Sequence, residues 1–151
     1  MLNYQSVVID FEGFRISNYA FVVKELSVRG LDFHDTILLK PPYTSNVIPQ
    51  KTQKVYAWLT KNIHGLSWNS GIHDYSFLFC FFVSLKIRFP NIIVYAKGFE
   101  KCAYLRCFFI QVIDLETINC PTANQLKPNP FNICPNHHSG YHRDHCAKEK
   151  V

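Results

Sequence analysis

Several features that would classify a chain at a glance are scarce here. No apolar run is long enough to cross a bilayer: the richest, Phe77 to Val83, meets Lys86 and Arg88 well short of the roughly 18 residues a spanning helix needs. A membrane helix is excluded on that ground. Targeting signals read as weak or absent, since Met1-Leu2-Asn3-Tyr4-Gln5 has no basic residue and Asp10 and Glu12 interrupt any signal core. The expectation is an intracellular protein, cytoplasmic or nuclear. Glycine (6) and proline (8) are few and scattered, which rules out collagen-like and low-complexity chains. The charge imbalance is small: 16 Lys and Arg against 11 Asp and Glu leave +5. That is compatible with nucleic acid but far from a basic tail, so charge alone selects no partner.

What is present is a core. A chain of 151 residues with 48% apolar and 15% aromatic residues is large and apolar enough for a single globular domain over 1–151. Six cysteines in an intracellular chain do not suggest a disulfide framework. Cys80, Cys102 and Cys107 sit among aromatic and aliphatic residues in helical stretches and read as small core residues. Cys120, Cys134 and Cys146 lie in a Pro/Asn/His-rich tail, 120–151, where chemistry is more expected than packing.

Three β-branched and aromatic runs open the chain: Ser6 to Asp10, Ala20 to Val28 and Thr36 to Lys40. Gly13 with Ser17-Asn18, and then Arg29-Gly30, supply turns short enough for antiparallel neighbours. After Pro41-Pro42, Val55, Trp58, Leu59 and Ile63 recur at helical spacing, and His64-Gly65 stops that helix. Phe77 to Phe89 predicts a second helix, apolar on most faces and ended by Pro90. A strand at Ile92 to Tyr95, a helix at Gly98 to Phe109 and a strand at Gln111 to Asp114 follow. Three antiparallel strands feeding a β-α-β half is the arrangement of the ribonuclease H-like mixed α/β sheet.

Two constellations carry candidate chemistry. Asp10 and Glu12 are two residues apart, so the strand pleat puts both carboxylates on one face, where they are able to bind magnesium or manganese for phosphodiester cleavage. The plainer reading is a pair of solvated groups at a strand end. In the tail, Cys134-Pro135-Asn136-His137 and then Cys146 offer thiolate and imidazole ligands suited to tetrahedral zinc. Spacing leaves the fourth ligand open among Cys120, His138, His142 and His145; an incidental Cys/His tail is the alternative.

Val7-Val8-Ile9-Asp10-Phe11-Glu12-Gly13-Phe14 resembles the first strand of the DEDD group of ribonuclease H-like exonucleases, which carries Asp-x-Glu there. The tail resembles that of the Maelstrom domain, a member of the same fold associated with small-RNA silencing of transposons. That family holds zinc with a Glu-Cys-His-Cys set. The resemblance therefore implies that Glu25, in Lys24-Glu25-Leu26, joins Cys134, His137 and Cys146 as a structural zinc site. Without it, Glu25 reads as a solvent-facing residue at a sheet edge, although Phe21-Val22-Val23 argue for a buried strand.

An active DEDD enzyme also needs a further acid near a helix start, for which Glu100 is the nearest match, and a His and an Asp on a final helix. His138 and Asp144 are candidates, but their spacing is one residue too long and the same segment holds the zinc ligands. Many Maelstrom domains lack the acidic set, so a non-catalytic, zinc-stabilised domain is the expectation, with a metal-dependent nuclease (Asp10, Glu12, Glu100) and a protein-interaction module as alternatives.

Lysines interleaved with aromatics mark a candidate RNA or single-stranded nucleic-acid surface: Lys51, Lys54, Tyr56, Trp58 and Lys61, then Lys97, Lys101, Tyr104 and Arg106. Ordinary solvated helix faces are the plain alternative. His64 to Trp68 reads as a packed connection, and His34 and His73 have no identifiable partner. The chain also stops within the second turn of a helix that starts near Cys146, where a ribonuclease H-like domain packs a closing helix. That ending reads as a truncation, with low stability and strong dependence on zinc expected.

Overall fold

The computed structural model describes residues 4–17, 20–121 and 125. It is an α/β fold on a five-stranded mixed sheet. The strands are β1 (Gln5–Ser17), β2 (Ala20–Arg29), β3 (His34–Leu38), β4 (Ile92–Ala96) and β5 (Gln111–Asp114). The helices are α1 (Gln50–Leu59), which widens into a π turn at Thr60–His64, α2 (Phe77–Arg88) and α3 (Phe99–Arg106). Spatial strand order is β3-β2-β1-β4-β5, with β2 antiparallel to both neighbours and β1, β4 and β5 mutually parallel.

Alternation along β1 separates two cores. Val7, Ile9 and Phe11 face a large cluster with Leu78, Phe82 and Leu85 of α2 and Cys102 and Leu105 of α3. Phe14, of opposite parity, faces a smaller cluster with Val22, Ile48, Tyr56 of α1 and Trp68. Helices thus cover both faces of the sheet. Helix α2 buries Leu78, Phe82 and Leu85 at i, i+4 and i+7, and leaves Phe79, Val83 and Ile87 exposed on the other side. Its weak amphipathicity, legible as an almost wholly apolar sequence, is therefore real.

Of the turn signals expected at Gly13 and Ser17-Asn18, Gly13 lies within the strand: β1 runs on to Ser17, which pairs with Ala20 at the start of β2. Glu12 pairs Glu25 whereas Gly13 pairs Val23, so Lys24 is an extra residue on β2, a β-bulge. Gly13 is needed because a Cβ there would lie 2.0 Å from the Val22 carbonyl oxygen. The Val23 amide donates to the Tyr75 hydroxyl at 3.1 Å, which anchors the bulged strand to the segment before α2. Of the three cysteines expected in the core, Cys102 is buried while Cys80 and Cys107 are exposed, because the apolar sequence around them extends to outward helix faces.

Candidate functional site

Asp10 and Glu12 do share one face of β1, and the cross-strand register places Ser27 opposite Asp10 and Glu25 opposite Glu12 on that same face. They stand mid-strand rather than at a strand end. Pairing of β1 with β4 stops at Val8 and Tyr95, so beyond that point β4 no longer flanks β1. Lys101 of α3 reaches across this edge. Its ammonium lies over the Phe11 ring, 5.5 Å from the centroid, and donates to Asp10 Oδ1 at 2.5 Å and Glu12 Oε1 at 3.4 Å. All three side chains are largely buried, which makes this ion triad a strong local interaction.

Lys101, expected to face phosphate, is instead counter-ion to the carboxylates. Glu100, expected to join them, pairs with Arg15, and both of those side chains are substantially exposed. Adjacent helix positions point about 100° apart, so Lys101 reaches Asp10 and Glu12 while Glu100 meets Arg15, further along β1. Lys97 is also engaged internally, donating to the carbonyls of Cys120 at 3.4 Å and Pro121 at 2.8 Å. Lys51 and Lys54 are exposed on α1, and Tyr56, two positions beyond Lys54, is buried in the Phe14 cluster, stacked on Trp68.

Glu25 is fully buried on β2, an interior strand, so the sheet-edge reading does not hold. A buried carboxylate fits a metal-ligating oxygen in donor chemistry. Cys134, His137 and Cys146, with His138, Asp144 and the rest of the proposed tail beyond 125, lie outside the described residues. Among the described residues, no group of three or more His, Cys, Asp or Glu is arranged to hold a metal ion, and no helix is long and apolar enough to cross a membrane. Asp10 and Glu12 fit a divalent cation poorly, because an ammonium already stands between them.

Sequence reasoning missed the other buried charge. Lys24, the bulge residue, is 1% exposed, and its ammonium donates to the carbonyls of Leu39 at 2.6 Å, Trp68 at 2.8 Å and Ser70. Three acceptors match the three donors of an ammonium. Burial pulls its pKa from 10.5 down to about 8, which leaves it charged at neutral pH. The signal was a lysine inside the apolar run Phe21 to Leu26. Burial also pushes the hydroxyls of Tyr75 and Tyr104 up from their ordinary range. Asp114 is held low chiefly by backbone amides, accepting from Glu116 at 2.9 Å and Gly98 at 3.0 Å.

His64 is part of the packed connection to Trp68: its Nδ1 accepts from the Leu66 amide at 3.0 Å and its ring meets Phe14 edge-on. His73 stacks on Phe77, 4.4 Å between centroids, and His34 lies opposite Arg29. Beside α1 a surface concavity of about 500 Å³ is lined by Gln53, Tyr56, Thr60, Lys61, Trp68 and Asn69. Comparison with protein-family models, curated proteins and solved structures gives no match to this chain.

Proposed function

We propose that this chain is a zinc-stabilised ribonuclease H-like domain that binds RNA or other single-stranded nucleic acid without cutting it. The observation that carries the reading is the seat of Lys101. An ammonium inserted between Asp10 and Glu12 occupies the place of a cation and offsets part of the charge of the acid pair that a two-metal nuclease would need, while Glu100 is drawn off to Arg15. The β3-β2-β1-β4-β5 order, with β2 alone reversed, supports the ribonuclease H-like assignment. The Maelstrom-like motifs add small-RNA silencing of transposons as the setting for such a domain.

Zinc would be held by Glu25, Cys134, His137 and Cys146, and its role would be to tie the tail to β2 and add folding free energy. The test has two arms. Elemental analysis of untagged protein should find a single zinc equivalent that is lost in both Cys134→Ser and Glu25→Gln; zinc retained in both would remove the site. Incubation of labelled single-stranded RNA with magnesium or manganese should give binding without cleavage, unchanged in Asp10→Asn. Cleavage that disappears in Asp10→Asn would instead establish the nuclease.

A further inference from the structure

Between Asp35 and Asp74 the chain carries Lys40, Lys51, Lys54 and Lys61 and no carboxylate side chain at all. Lys40 is answered by Asp74 at 3.3 Å. Among the described residues, the other three enter no ion pair, and all are exposed. They belong to α1 and the turn that continues it, where Lys51, Lys54, Trp58 and Lys61 follow one another at intervals of three, four and three. At 3.6 residues per turn that spacing lays Lys51, Lys54 and Trp58 along one stripe, about 10 Å long at 1.5 Å per residue, and Lys61 follows in the π turn. Tyr56 faces the opposite way, into the sheet.

Trp58 stands between Lys54 and Lys61 along the chain and is 57% exposed. An indole left in water among three unpaired ammonium groups, with no carboxylate nearby in sequence, matches the two demands of a nucleic-acid strand. The lysines supply charge for phosphates, and the ring supplies a face for a base. The basic residues in and just before α3 do not offer this, since Lys97 and Lys101 are bound internally, Arg106 donates to the Val112 carbonyl and Glu100 stands beside the exposed Phe99.

We infer that the outer face of α1 is a stacking platform for single-stranded nucleic acid, with an unpaired base on Trp58 and flanking phosphates on Lys51, Lys54 and Lys61. It rests on the nucleic-acid reading above and fixes where on the molecule that ligand is met. A duplex is a poorer ligand because its bases are already stacked on one another. Lys61 also borders the concavity beside α1, which gives the strand room to continue past the platform.

The chain has 2 tryptophans, and Trp68 is buried, so quenching of the intrinsic emission by a stacked base reports on Trp58. The experiment titrates the full chain with oligouridylate of about 12 nucleotides. Emission should be quenched on binding, and a duplex RNA of equal length should bind more weakly with less quenching. Affinity should fall about tenfold or more in Trp58→Ala. It should be retained in Trp58→Phe, which keeps an aromatic face but loses the signal, so binding there is followed by anisotropy of labelled RNA. Three phosphate contacts predict a slope of about −2 for log K against log salt, flattened in the Lys51→Gln/Lys54→Gln/Lys61→Gln variant.

Every substituted side chain is exposed, so circular dichroism spectra should match those of the parent. Oligouridylate that binds with undiminished affinity to both Trp58→Ala and the triple variant would overturn the platform and leave the nucleic-acid reading standing at another surface. Equal quenching by duplex would overturn its single-strand preference. No binding to the parent at low salt would overturn both.

Discussion

Two lysines define this molecule at the level of single residues, and they do opposite things with their charge. Lys101 meets formal negative charge, whereas Lys24, among the described residues, donates to carbonyl dipoles alone. Replacing Lys24 by Met keeps the stem and removes every donor, leaving the carbonyls of Leu39, Trp68 and Ser70 without this partner inside the fold. Burying unsatisfied carbonyls costs about 1–3 kcal/mol each, and partial relaxation makes a net loss of about 3 kcal/mol the expected outcome for Lys24→Met. Urea unfolding checks it: the midpoint should fall with little change in slope. A midpoint equal to the parent's would mean the three acceptors are not held by the ammonium.

Among the elements, the β1–β2 hairpin decides most. Its bulge puts Lys24 out of the ladder and toward those carbonyls, and it exists because the backbones approach at Gly13 more closely than any side chain permits. Gly13→Ala should therefore cost about 2 kcal/mol through forced backbone shifts, read as a lowered melting temperature. The element order was legible beforehand because β-branched runs, Pro41-Pro42, Pro90 and His64-Gly65 are local signals, and the sheet's composition follows from them. The bulge was not, since Gly13 carries the same signature whether it turns a chain or lets two strands touch. For the candidate site, the shared face of Asp10 and Glu12 was readable from the two-residue period. The partners were not: Lys101 meets Asp10 across 91 positions, and neighbouring Glu100 and Lys101 look interchangeable until helix phase separates them. Glu25's burial was readable from Phe21 to Val23, and the residues proposed to share its metal lie outside the described ones.

For the whole molecule, the buried ionisable groups set a pH dependence with a definite sign. Lys24 gives up its proton near pH 8 when folded but near 10.5 when unfolded. Over that interval the unfolded chain binds more protons, so this group's contribution to stability rises with pH. Tyr75, Tyr104 and Cys102 are all pushed up by burial and work the other way: the folded protein keeps protons that the unfolded chain has lost, so stability falls as pH rises past 9 for the thiol and past 10 for the phenols. Denaturation midpoints should climb between pH 8 and 9 and decline above 10, and Lys24→Met should lose the climb while keeping the decline. A parent curve that falls steadily from pH 8 would show that Lys24 is not depressed.

The parallel ladder between β1 and β4 has a consequence in time. Gln5 pairs with Ile92 and Val8 with Tyr95, so one side of the central strand has no neighbour until most of the chain has left the ribosome. During synthesis the three-stranded antiparallel half is able to assemble early, but it carries an open edge rich in valine and isoleucine of the kind that captures strands from other chains. The nascent protein is thus most exposed to mispairing just before residues 92–96 emerge, and a pause in translation upstream of them lengthens that interval.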